Sequence, residues 1–218
     1  EEGTIVIAER QTAGRGRAGR AFSSPEGGIY VSLVLRHRLL PRDVPFITLV
    51  SAVAVAKAIR DLTGLPAQIK WPNDVLVRGR KVCGILTESR FAGDKVDFVV
   101  IGIGINVNTS MESFPEEVRG VASTLKQELG AEVSRLGILK RLIASIEELL
   151  DAYRRDGEQA AIQQWVSLSC TVGRRVRVST GAGAIEGMAV GIDQTGALVI
   201  RTTAGKEERV VTGDVTLL

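Results

Sequence analysis

The sequence predicts an α+β fold, a sheet with helices packed on one face, followed by a small SH3-like β-barrel. Three observations carry that prediction. Short β-rich apolar runs recur at residues 4–8, 29–35 and 96–103, with a hairpin pattern before the third. Two helical patterns, one after Asp43 and one from Ser134, are apolar enough to cover such a sheet. Past Cys170 the chain turns into valine- and threonine-rich runs punctuated by Gly181, Gly191, Gly196, Gly205 and Gly213, the texture of a small all-β module. The expected domains are therefore residues 1–170 and 171–218, and with no low-complexity linker between them the second should pack on the first.

Each element follows from local chemistry. Ile29 to Leu35 is a β-rich run, and with residues 4–8 it brackets a loop that hangs between two strands. Asp43 is expected to cap a helix with Pro45 in its first turn, ending at Gly64. Gln68 to Trp71 comes next, then a hairpin pattern around Val75 to Val82 that continues to Thr87, and the strongly apolar strand from Val96 to Ile103. Leu136, Leu139, Ile143, Ile146, Leu150 and Tyr153 recur at spacings of three and four and mark one face of a long helix. A second short helix carries Ile162 and Trp165.

Composition narrows the function. The 218 residues are 44% hydrophobic and 24% charged, enough for one substantial core and a small satellite. A formal net charge of +3 does not demand a nucleic-acid surface. Two cysteines, Cys83 and Cys170, lack metal-ligand spacing and read as reduced thiols of a cytoplasmic protein. The longest apolar stretch, Phe46 to Ile59, is broken by Thr48, Ser51 and Lys57 and is too short to span a bilayer. The single histidine, His37, follows a strand beside Arg36 and Arg38 and reads as a surface residue, which removes triad chemistry.

Three clusters carry the chemistry. Gln11 to Arg20 places Gly14, Arg15, Gly16, Arg17, Gly19 and Arg20 in seven residues, so backbone and guanidinium groups can close over an anion. The match to a dinucleotide GxGxxG pattern is formal only, because Ser23-Ser24-Pro25-Glu26-Gly27-Gly28 follows and no helix starts there. Lys70-Trp71-Pro72-Asn73-Asp74, followed by Lys81 and Gly84, reads either as a plain turn or as an oxygen-ligand and phosphate site suited to magnesium and nucleotide. Gly102-Ile103-Gly104-Ile105-Asn106 ends the most apolar strand, where glycines imply a flat ligand against the sheet or a bulge. Such a cation-rich, base-poor set suits stabilisation of developing phosphate charge.

Taken together, the segments at 11–36, 70–86 and 102–108 resemble the biotin protein ligases along nearly the whole chain. The resemblance implies a catalytic domain like the class II aminoacyl-tRNA synthetases, a mixed sheet with helices, and a C-terminal SH3-like domain. Its reaction joins biotin and MgATP as biotinyl-5′-AMP, then biotinylates a lysine of biotin carboxyl carrier protein. Carried over, Gln11, Gly14, Arg15 and Gly16 hold biotin, Arg17 lies over the adenylate phosphate, and Lys81 binds the oxygens being joined. Gly84, Gly102 and Gly104 floor the pocket; Arg20, Lys70, Asn73, Asp74 and Asn106 face ATP, with Asp74 and Asn73 toward magnesium. Residues 114–125 resemble the stretch that closes on adenosine, and a homodimer is a further implication. Two departures stand out. The family's Ser/Thr-Thr-Asn element upstream of the glutamine lies outside this sequence, as does any winged-helix module, and Phe22 stands where tryptophan is common. The RRxSGGG-like sequence of the related lipoate ligases and octanoyl transferases is absent. A nucleic-acid module built on Arg174-Arg175-Val176-Arg177 would lack stacking platforms at 4% aromatic content.

Overall fold

The structure, a computed structural model, describes residues 1–36, 40–181 and 183–218; His37 lies outside them. The strands are β1 (Ile5–Ala8), β2 (Ile29–Leu35), β3 (Ala67–Lys70), β4 (Asp74–Val77), β5 (Arg80–Ala92), β6 (Lys95–Ile105), β7 (Arg175–Thr180), β8 (Gly183–Ile192), β9 (Leu198–Thr202), β10 (Glu207–Val210) and β11 (Asp214–Leu217). The helices are α1 (Asp43–Thr63), α2 (Glu116–Arg119), α3 (Leu125–Leu129), α4 (Arg135–Asp156) and α5 (Glu158–Leu168). The first six strands form one sheet in the order β1-β2-β6-β5-β4-β3, and the last five form another in the order β10-β9-β8-β7-β11. Every pairing between strands is antiparallel, so the mixed sheet implied by the resemblance is corrected.

Period-two alternation divides the large sheet into two unlike faces. Val31, Leu35, Cys83, Ile85, Val99, Ile101, Ile103 and Ile105 join the core, which the Ala/Val-rich α1 completes with α4 and α5 behind it. The residues between them, including Ser32, Gly84, Leu86, Glu88, Val100, Gly102 and Gly104, point to the other side. Among the described residues no helix layer covers that face, and the site is built on it.

Local signals were read with differing success. Gly64 ends α1 at φ 68°, as a C-terminal glycine should. Asp43, however, is the first helical residue rather than a cap of the helix. Its carboxylate instead accepts from Leu40 N at 2.7 Å and from the Tyr153 hydroxyl at 2.9 Å, binding the preceding turn and α4. Strand β5 runs on to Ala92 and β6 spans Lys95–Ile105, because the long hairpin projects beyond the helices. Ser134 does cap α4, accepting from Gly137 N at 3.1 Å. The buried face of α4 comprises Ile138, Leu142, Ser145, Ile146, Leu149 and Leu150; of the predicted stripe Ile146 and Leu150 are buried and Leu139 and Tyr153 pack against the core, while Leu136 is 62% exposed, so the stripe is offset from the buried face at its N-terminal end. Ile162 and Trp165 are buried on α5 as expected. Gly191 lies inside β8 beside a register shift, not in a turn. The short helix α3 was not anticipated, although Thr124 and Gln127 carry the spacing of a capping box; the Thr124 hydroxyl accepts from Gln127 N at 3.1 Å.

The hairpin β4–β5 turns through Arg78 (φ 49°) and Gly79 (φ 79°), the paired positive φ of a tight two-residue hairpin. It is fastened to α3 by Glu128, whose side chain is 1% exposed and meets Arg80 at 2.6 Å and Arg78 at 3.2 Å. Burial pushes the Glu128 carboxyl up, but the Ser123 hydroxyl and the two arginines outweigh it and leave it below its ordinary value. A carboxyl lowered on folding stabilises above its unfolded pKa of about 4.3 and loses that contribution as pH falls through the folded value. Both arginines are more than a third exposed, so solvent screening limits the effect. Glu128→Gln is expected to cost about 1 kcal/mol of stability at pH 7, and the difference from the native chain should shrink below about pH 4. Denaturant melts at pH 7 and pH 3.5 check both halves; an equal loss at the two values refutes the assignment.

Candidate functional site

The uncovered sheet face forms the floor of a cavity of about 530 Å³. Glycines pave it. In the paired register Gly104 stands between Tyr30 and Gly84, and Gly102 between Ser32 and Leu86, with no register shift at either glycine. The bulge reading of this segment therefore fails. A side chain at Gly104 would come within 2.3 Å of the Phe22 ring, and one at Gly84 within 2.9 Å, so these glycines make room for that ring. At Gly102 the nearest atom would be Leu86 O at 3.5 Å, an ordinary contact, so a side chain there meets no clash.

The roof is the arginine loop, folded on itself as an arm. Gln11 N donates to Ser24 O at 3.1 Å, Phe22 N to Gly14 O at 2.9 Å, and Gly16 N to Arg20 O at 2.7 Å. Only one 3-10 turn, Arg17–Gly19, interrupts it, with Ala18 at φ 53°. No helix follows the glycines. The Ser24 hydroxyl donates to Gln11 Oε1 at 2.7 Å, and Phe22 lays its ring on the glycine floor with Lys81 Nζ 5.9 Å from the ring centre.

Cations of the cleft meet partners drawn from three parts of the chain. Arg15 pairs with Glu88 of β5 at 3.1 Å, and Lys81 with Asp74 across the β4–β5 hairpin at 2.6 Å. Arg20 pairs with Asp214 at 2.8 Å, and Arg17 reaches Asn73 Oδ1, Gly213 O and Thr212 Oγ1 at 3.3, 3.3 and 3.0 Å. Burial lowers the Arg17 pKa, with Asp214 opposing and the neighbouring charge of Arg20 adding; an arginine stays charged nonetheless. Asp214 and Val215 line the cavity. Sequence reasoning did not assign them, because nothing local to 214–215 signals a site more than 190 positions from the loop it meets.

Of the residues singled out from sequence, Gln11, Arg15, Gly16, Arg17, Arg20, Lys70, Asn73, Asp74, Lys81, Gly84, Gly102 and Gly104 line this one cavity. Gly14 and Asn106 do not. Gly14 is packed inside the arm, where a side chain would strike Phe22 O at 2.3 Å. Asn106 is 5% exposed and ties the strand end to residues 114–125: its Nδ2 donates to Ser123 O at 3.1 Å and its carbonyl accepts from Leu125 N at 2.9 Å. That segment also brackets Lys81, whose N donates to Val121 O and whose carbonyl accepts from Ser123 N, both at 2.9 Å.

The chemistry of the donors favours anions over a resident metal. Among the described residues no three His, Cys, Asp or Glu side chains cluster as ligands. The Asn73 amide is occupied, its Nδ2 donating to Ile85 O at 2.6 Å and its Oδ1 facing Arg17. Of Asn73 and Asp74, only Asp74 offers a carboxylate, which suits magnesium carried in on phosphates. Burial pushes the thiols of Cys83 and Cys170 up, so neither is an activated nucleophile.

Comparisons with known proteins agree with this construction. Residues 1–106 match the biotin/lipoate A/B protein ligase family, and residues 171–218 match the biotin protein ligase C-terminal domain. The bifunctional ligase/repressor BirA of Bacillus subtilis is 40% identical over 94% of this chain; the match covers 63% of that relative, so the chain spans less than two thirds of its length. A biotin–acetyl-CoA-carboxylase ligase of Paracoccus denitrificans is 34% identical over 93% of this chain and 85% of its own. The Aquifex aeolicus biotin protein ligase in complex with biotin and ATP superposes with a TM-score of 0.86 at 33% identity, covering 100% of this chain and 90% of that one. On relatedness of this extent, the chain belongs to the biotin protein ligases of the biotin/lipoate A/B protein ligase family.

Proposed function

We propose that the protein activates biotin with ATP as biotinyl-5′-AMP and transfers the biotinyl group to a lysine of a biotin carboxyl carrier protein, acting in the cytoplasm. The observation that carries this reading is the cleft itself: a glycine-paved sheet face roofed by an arginine arm, with Lys81 at its edge. Residues 1–170 would form the catalytic unit and 171–218 a C-terminal domain that lends Asp214 to the rim.

In the first step a carboxylate oxygen of biotin attacks the α-phosphorus of ATP, a P–O bond forms, and pyrophosphate leaves with the electrons of the broken bond. Two anions must approach in line, so fixed cations that cancel their repulsion lower the barrier. Lys81 has that role, exchanging Asp74 for the reacting oxygens. Arg15 and Gly16, with Gln11, would hold biotin along the sheet, over Gly102 and against the Phe22 ring that Gly84 and Gly104 accommodate. Arg17 covers the phosphate, and Arg20, Lys70 and Asn73 face the rest of the nucleotide. Asp74 is the carboxylate positioned to meet magnesium, which would enter with ATP and neutralise phosphate charge. In the second step the neutral carrier lysine attacks the acyl carbon and AMP departs. Asn106 acts at one remove, holding residues 114–125 against the Lys81 backbone.

Lipoate is the competing acid within this fold. Adenylate formation with biotin and not with lipoate, followed by pyrophosphate exchange, tests the choice of substrate.

Lys81→Met is expected to leave the fold intact and reduce adenylate formation by at least about a hundredfold, the scale of one lost transition-state donor. Normal pyrophosphate exchange in that variant refutes the role. Arg17→Gly removes charge-assisted contacts worth about 1.5–3 kcal/mol and frees the arm. The adenylate should then escape about ten to a hundred times faster and label lysines of an unrelated protein. Labelling confined to the carrier protein, with an unchanged adenylate off-rate, would exclude it.

A further inference from the structure

We infer that Thr171 is a positioning residue for the nucleotide end of the cleft, acting through Trp71. The inference rests on the functional reading above and adds a residue to it that touches no ligand.

Strand β3 is the edge of the large sheet, and an edge strand has outward N–H and C=O groups without a ladder partner. Here the segment joining α5 to β7 supplies them. Ser169 forms a parallel bridge with Ile69, Cys170 N donates to Ile69 O at 2.9 Å, and Trp71 N donates to the Thr171 hydroxyl at 3.0 Å. The indole Nε1–H of Trp71 donates to Gly196 O at 3.2 Å, in the turn between β8 and β9. Both N–H groups of Trp71 therefore end on residues 100 and 125 positions downstream. Thr171 is 0% exposed and Trp71 2% exposed, so neither bond is shared with water. The backbone that carries the hydroxyl is held in place, because Ser169 Oγ accepts from Thr171 N and Val172 N at 3.0 and 3.1 Å.

Trp71 sits between the groups that face the nucleotide in the functional reading. Lys70 precedes it, Pro72, Asn73 and Asp74 follow, and all of them line the cavity. Asn73 meets Arg17 and Asp74 meets Lys81. Asn73 and Asp74 are also tied to β5, through Ile85 and the pairing with Gly84, so a shift of Trp71 acts first on Lys70 and Pro72, the groups on either side of it. Thr171 thus sets where the nucleotide end lies and leaves the biotin end alone.

The test compares Thr171→Val with Thr171→Ser. Valine keeps the shape and removes the acceptor, stranding a buried N–H; serine keeps the acceptor. In the valine variant KM for ATP should rise about fivefold or more while KM for biotin stays within about twofold. The serine variant should return KM for ATP to within about twofold of native. Equal rises in both KM values, or an unchanged KM for ATP, overturn the inference. If the valine variant does not fold, Thr171→Ala removes the same acceptor without a β-branched side chain, and the same split between the two KM values is required of it. A native protein that binds ATP yet forms no biotinyl-adenylate defeats the functional reading instead, whereas an active native protein with no split in the variants defeats only the role of Thr171.

Discussion

Everything at the site depends on the unequal treatment of the two faces of the six-stranded sheet. Helix α1 can be buried along nearly its whole length because its Ala and Val side chains let it lie close to the strands, with α4 and α5 sealing it from behind. Burial of this kind is the main favourable term in folding. Among the described residues no helix covers the opposite face, so what lies there must be supplied by a loop or a ligand. The alternating glycines of β5 and β6 keep that face low and flat, and the arginine arm then has a surface to close upon.

Charge is arranged on the same principle of provisional partners. Arg15, Arg20 and Lys81 each meet a carboxylate, and Arg17 meets neutral acceptors. Pairs at the rim of a wet cleft are individually weak, so an incoming anion can displace them at little cost. A preformed cationic site that is already partly satisfied avoids the repulsion that unpaired arginines would impose on one another.

The smaller sheet is more than an appendage. Its β8–β9 turn accepts from Trp71, its Thr212 to Asp214 segment meets the arm, and the connection into it completes the edge of β3. Removing it would take away the acceptor of the Trp71 indole, the carboxylate that meets Arg20 and two of the three acceptors that Arg17 reaches.

The sequence by itself determined the elements and the chemistry. Periodicity located the main strands and the long helices, glycine and capping residues marked several boundaries, and the three clusters pointed to anion handling because those residue types do little else at such density. Periodicity erred where burial is decided by neighbours: the α4 stripe is offset at its N-terminal end toward Ile138 and Leu142, and Asp43 turned from a cap into a bond to Tyr153 and Leu40. Only the tertiary structure decided that Gly14 and Asn106 lie outside the cavity lining, that Asp214 and Val215 belong to it, and that Thr171 holds Trp71. The physical reason is range. Propensity and capping act over a few residues, whereas Asp214 meets Arg20 and Thr171 meets Trp71 across a hundred positions or more, contacts that exist only once the two sheets pack.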